Sequence, residues 1–188
     1  MTLKQNFITA VTLMILTGFS GTALAQSMQS MQDNPYLDDI RSNAETLAKN
    51  LNEQQVDDLS KLREAFGIVE SIKIVRERIG KAVTGCSDAH ADMSTDLSTR
   101  YTEWKDHVNP VIQTKEKTIK DKIFDEKRFD KPQAIWDYLM LINKAADHAN
   151  EQRQLEIVTT QEACDGLYKS MTDTKTQITD VLERVEFP

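Results

Sequence analysis

The chain has 188 residues, with 23 Lys and Arg against 30 Asp and Glu, for a net charge of −7. That length suits one ordinary domain with enough chain to bury a core. The acidic balance repels phosphate backbones, which argues against nucleic acid as a partner and against adsorption to anionic lipid.

Lys4 is the only charge ahead of an apolar run from Phe7 to Phe19, and small residues follow at Ala23 and Ala25. This is the pattern of a signal peptide over residues 1–25, cut ahead of Gln26. The run is about 13 residues where a membrane span needs about 20. Gly18, Ser20 and Gly21 also interrupt it before the cut. No Cys stands at the cut, so an acylated lipoprotein is not expected, and no later segment is apolar enough to span a bilayer. The expected location is the periplasm or the secreted space, in a bacterial envelope. Both cysteines, Cys86 and Cys164, lie after the cut. In an oxidising compartment an even count favours a disulfide, and two cysteines allow one pairing within a chain.

Residues 26–33 read QSMQSMQD, a polar lead expected to be disordered. Met28 and Met31 there are too few ligands for a soft metal. Residues 34–188 are expected to form one domain, and their composition favours helices over strands. Asn34-Pro35 reads as a cap and first position of a short helix carrying Leu37, Ile40, Ala44 and Leu47. Asn52 and Gln55 form a capping-box pattern, flanked by Leu51 and Val56 at the staple positions. A long stripe runs from Val56 through Leu59, Leu62, Phe66, Val69, Ile72, Val75, Ile79 and Val83, and Gly85 is expected to end that helix with Cys86 just beyond.

Ser87, Asp88 and Asp92 offer caps for the next helix, whose stripe is Met93, Leu97, Tyr101, Trp104, Val108 and Val111. Pro110 lies inside it, and a kink is expected between Asp106 and Pro110. Asp130-Lys131-Pro132 stops that helix and starts another, with Ile135, Leu139, Ile142, Ala146 and Ala149 on its stripe. Thr159, with Glu162 three residues on, caps a last helix carrying Ala163, Leu167, Met171, Ile178, Val181, Leu182 and Val185.

Four long helices joined by short turns favour an all-α up-down-up-down four-helix bundle with an additional short N-terminal helix. In that topology the last helix starts at the end where the first long one stops, so Cys86 and Cys164 meet. The bond would close a loop of about 79 residues and stabilise by about 4.5 kcal/mol in the loop-entropy model.

The loop Asp88, His90 and Asp92 places three oxygen or nitrogen ligands at alternate positions, a candidate cation site. It is not an EF-hand, because Met93 and Thr99 stand where Gly and Glu are required. Capping is the commoner use of such aspartates. Glu103 with His107, and His148 with Glu151, lack the Glu-x-x-His pattern of di-metal bundles. No haem-attachment motif, phosphate loop, nucleophile elbow or triad occurs, so no cofactor and no enzymatic activity are expected. Lys115 to Lys131 is a mixed-charge stretch that reads as a solvated helix extension. Trp136 and Met140 follow Ile135 and Leu139, widening that helix's apolar face toward the first helix or a partner surface.

The sequence points to an exported, non-catalytic protein that acts by protein contact or self-association, as a chaperone, adaptor or envelope component. The alternative is a periplasmic bundle that binds or senses a small ligand or metal.

Overall fold

The structure is a computed structural model that describes residues 34–152 and 157–188. The expected signal peptide and polar lead lie outside the described residues. Five helices occur among them: α1 (Leu37–Asn50), α2 (Glu53–Ala89), α3 (Ser94–Phe124), α4 (Pro132–Glu151) and α5 (Gln161–Glu183). None is long and apolar enough to cross a membrane.

The start signals of α2 and α4 act as the sequence predicts. Asn52 Oδ1 accepts from the Gln55 amide at 2.9 Å, while Gln55 Oε1 accepts from the Asn52 amide at 3.1 Å. Pro132 opens α4, where its missing N–H costs nothing. Three other helix starts shift. α1 starts at Leu37, because Asn34 turns inward: its Oδ1 accepts from the Tyr36 amide at 3.1 Å and its Nδ2 donates to Ala145 O at 2.7 Å. None of Ser87, Asp88 and Asp92 caps α3, whose N-cap is Met93 with no side-chain cap. Thr160, not Thr159, caps α5, its hydroxyl accepting from the Ala163 amide at 3.3 Å.

Gly85 does not end α2. The helix runs on to Ala89 with Cys86 inside it. A Cβ on Gly85 would stand 3.1 Å from Ile157 Cγ2 and 3.3 Å from Thr159 Cγ2. The glycine therefore lets the segment before α5 cross close over α2. His90 holds that segment, with Nε2 donating to Thr159 O at 2.7 Å. The Cys86–Cys164 disulfide lies beside it, with Cα atoms 5.7 Å apart across a separation of 78 residues.

The most extensive packing joins α2 to α3, which run antiparallel: Lys73 pairs with Glu116, Arg76 with Asn109, and Tyr101 with the backbone at Arg76. The next most extensive joins α3 to α5, which run parallel, with Arg100 on Tyr168 near one end and Lys115 on Glu183 O near the other. α5 also packs on α2, while α4 packs on α2 and α3 and carries α1 on its outer side. A closed ring of four would require α4 against α5, and no extensive contact joins them among the described residues. The extensive contacts make α2 and α3 a central pair that seats α5 and α4 separately, and they do not by themselves close the four long helices into the expected bundle. α3 is one continuous helix through Pro110, so it does not turn back there, and α5 does start where α2 ends.

One core runs through all of this. It includes Leu62, Val69 and Ile72 of α2, Leu97, Trp104, Val108, Ile112, Ile119 and Ile123 of α3, Ile135 and Leu139 of α4, and Met171 and Leu182 of α5. Two stripe positions slip by one residue: Ile112 is buried with Val111 at its edge, and Ala145 is buried while Ala146 is exposed. Val56 and Val75, expected on the stripe of α2, are exposed.

The far end is latched by charge. Asp58 is buried and accepts from Arg128 at 3.1 Å and from Gln54 at 2.8 Å. Gln55 Nε2 reaches Arg128 O at 2.9 Å, so the capping-box residue also holds the α3–α4 loop. Lys127 in that loop has φ of 52°, a left-handed conformation that a non-glycine residue adopts at some cost.

Two glycines of α2 separate helix propensity from packing. A Cβ on Gly67 meets nothing within 4 Å, whereas one on Gly80 would stand 2.6 Å from the Tyr101 hydroxyl, which donates to Arg76 O at 3.0 Å. Gly67→Ala should raise stability by about 0.5–1 kcal/mol through helix propensity. Gly80→Ala should lose that gain or lower stability by about 1 kcal/mol, because the hydroxyl is driven off its carbonyl. Urea melts of both variants check this. An equal gain in the two would show that Tyr101 does not occupy that space.

Candidate functional site

The residues singled out by the sequence fall in two places. At the disulfide end, Asp88 and Asp92 are exposed, and His90 spends Nε2 on Thr159 O. The structure does not bring these three together. Among the described residues, no three His, Cys, Asp or Glu side chains gather as a cation site. His107 is exposed, and Glu103 pairs with Arg100 at 3.1 Å. His148 meets the Tyr36 ring edge-on at 6.0 Å between centroids.

Trp136 and Met140 do share a site. They line a cleft of about 170 Å³ where α4 crosses α2 and α3. Phe66 and Ile119 form its apolar floor. Trp136 stands edge-on to Phe66 at 6.0 Å and tilted to Phe124 at 6.2 Å. Such aromatic pairs add about 0.5–1.5 kcal/mol beyond burial and hold the ring in place. Trp136 is half-buried and Phe124 is exposed, so part of this aromatic wall faces solvent.

The opposite wall is polar. Lys73 Nζ lies 2.8 Å from Glu70 Oε1 and 2.8 Å from Glu116 Oε1, bridging α2 to α3. Partial burial works to lower the Lys73 pKa, but the hydrogen bonds and charges of Glu116 and Glu70 outweigh it and leave the ammonium raised. Lys73 is therefore firmly charged. Lys120 Nζ stands 5.5 Å from the Trp136 ring centroid, a cation over an aromatic face. Asn143 of α4 closes the cleft. Its Nδ2 donates to Asp147 at 3.2 Å, while its Oδ1 is buried with no donor among the described residues. Sequence reasoning missed Glu70, Lys73, Glu116 and Asn143 as parts of one site. Glu116 was visible only as part of the mixed-charge stretch.

The arrangement holds no nucleophile paired with a base among the described residues. It can grip a side-chain-sized group between an aromatic wall and fixed charges. No protein-family model, curated protein or solved structure matches the chain. Fold and site together define an all-helical protein closed by one disulfide.

Asp147, which accepts from Asn143, is pushed up by partial desolvation and then by the charges of Glu77 and Glu151, with Lys73 opposing. A carboxyl raised by folding binds its proton more tightly in the folded state. Its handicap to stability is thus present above the folded pKa and disappears as pH falls through it. Asp147→Asn keeps an oxygen for Asn143 and should raise the denaturation midpoint at neutral pH. The gain should shrink toward zero below about pH 4, where the parent carboxyl is protonated. Equal effects at both pH values, or a loss at neutral pH, would contradict this.

Proposed function

We propose that the chain is an exported, non-catalytic helical protein of the bacterial envelope that works by protein contact, and that the Trp136–Met140 cleft is the contact. The cleft carries the reading. At about 170 Å³ it falls below the roughly 300 Å³ at which small-molecule and cofactor pockets begin. It suits a single side chain inserted by a partner, flanked by half-buried aromatic surface of the kind that anchors interfaces. The N-terminal pattern at residues 1–25 supports export, and the Cys86–Cys164 bond fits an oxidising compartment.

A photo-crosslinking residue at position 140, in the full chain expressed in a bacterial host, tests both parts. The protein recovered from the envelope fraction should begin at Gln26 by mass. It should give a discrete crosslinked band that Trp136→Ala abolishes and that the same probe at exposed Ser98 does not give. A mass retaining Lys4 would refute export by cleavage. Crosslinking that is absent at position 140, or equal at both positions, would refute contact through the cleft.

A further inference from the structure

α1 is the helix least committed to the rest of the molecule. Its one extensive packing partner among the described residues is α4. Leu47 is its one buried residue, with Ile40 and Ala44 half-buried on the same face. Its side-chain hydrogen bonds close on itself: Asn43 donates to Asp39 O at 2.9 Å, Thr46 to Ser42 O at 2.9 Å and Asn50 to Thr46 O at 2.7 Å. Its ion pair, Arg41 with Asp38, is internal too. The polar tie to α4 comes from just ahead of the helix, where Asn34 donates to Ala145 O at 2.7 Å.

The joint after α1 lets it move without cost to α2. Leu51 and Asn52 are both extended, with φ and ψ of −100° and 140°, then −78° and 171°. The Asn52–Gln55 box caps α2 from within its own sequence, so the start of α2 does not depend on α1. What α1 covers bears on the contact proposed above. Met140 lines the Trp136 cleft on one side. On the other, with Leu141 and Lys144, it lines a groove of about 350 Å³ whose far wall is Asp39 and Asn43 of α1. α1 therefore fences the second flank of Met140.

We propose that α1 is a strap that lifts from α4 as one unit about Leu51 and Asn52 while α2 to α5 stay folded, and that lifting it opens the fenced flank of Met140 to the partner. α1 is then an autoinhibitory element of the contact. This rests on the reading of the Trp136–Met140 cleft as a protein contact and names how that contact is regulated. A partner that touches Met140 on both flanks binds the open form more tightly and draws the strap off. One with equal contacts in both forms would not move it.

The urea dependence of amide exchange in the unsubstituted full chain tests the strap. Amides from Arg41 to Leu47 should share one opening, with a urea slope well below that of Val69 and Ile112. A slope equal to that of Val69 would show that α1 leaves only when the whole molecule unfolds. Protection that rises steadily inward from Leu37 would show fraying. Either result overturns the strap. The photo-crosslinking residue at position 140 tests the covering. Asn34→Ala cuts the tie to Ala145 without altering the cleft, and should raise the crosslinked yield by about two- to fivefold. Leu182→Ala, a cavity in α5 that α1 does not pack on extensively, should leave the yield as it is. An unchanged yield with Asn34→Ala, or an equal rise with both variants, would overturn the regulation and leave the contact reading standing. No crosslink in any of these chains would end the contact reading, and the regulation with it.

Discussion

The antiparallel packing of α2 on α3 is the contact on which the rest of the molecule is built. Both helices contribute fully buried aliphatic side chains to the core, Leu62 and Val69 from one and Val108, Ile112 and Ile119 from the other. Each such side chain is worth about 1.5–3 kcal/mol on burial, while exposed ion pairs such as Lys61–Asp57 are screened by water and add little. The apolar seam therefore decides that the two helices pair, and the polar contacts decide how. Asp58 is buried, and removing Arg128 would leave it only the Gln54 amide among the described residues. That latch fixes one end of the register, and the Tyr101 hydroxyl against Gly80 fixes it toward the disulfide end.

Each remaining helix takes its place from this pair. α5 lies along α3 in parallel register, and its start is held three times over: by the disulfide, by the crossing over Gly85, and by His90 on Thr159. α4 lies on the pair separately, and the cleft opens in the angle between them. The bridge from Lys73 to Glu70 and Glu116 does two jobs there. It ties α2 to α3, and it places Lys73, Glu70 and Glu116 in the lining of the space that Trp136 and Met140 share. The same residues that hold the register thus set the charge of the site.

Much of the fold was legible because helix starts are written locally. The Asn52–Gln55 box and Pro132 act within one turn, and the Cys86–Cys164 pairing followed from the even cysteine count, with helix order in support. Errors came where two neighbouring residues compete. Val111 and Ile112, or Ala145 and Ala146, fit a 3.6-residue period almost equally, and tertiary packing chose between them. Gly85 looked like a stop because its use lies seventy-odd residues away, in a segment passing overhead. Asp58 left a trace, a charge in phase with Leu62 and Val69, but its partner Arg128 is 70 residues distant. Half of the cleft was visible for the same reason that half was not. Trp136 and Met140 widen one helix's own face, whereas Lys73 meeting Glu116 depends on the register of two helices 43 residues apart.

Native-state hydrogen exchange tests the central place of the α2–α3 pair most directly, because it ranks segments by the free energy of their opening. With the disulfide intact, the slowest amides should lie in α2 around Val69 and in α3 around Ile112. Those of α1 and the outer face of α4 should exchange by earlier, partial openings. Amides of α4 or α5 outlasting those of α2 and α3 would show that the molecule is organised around a different contact.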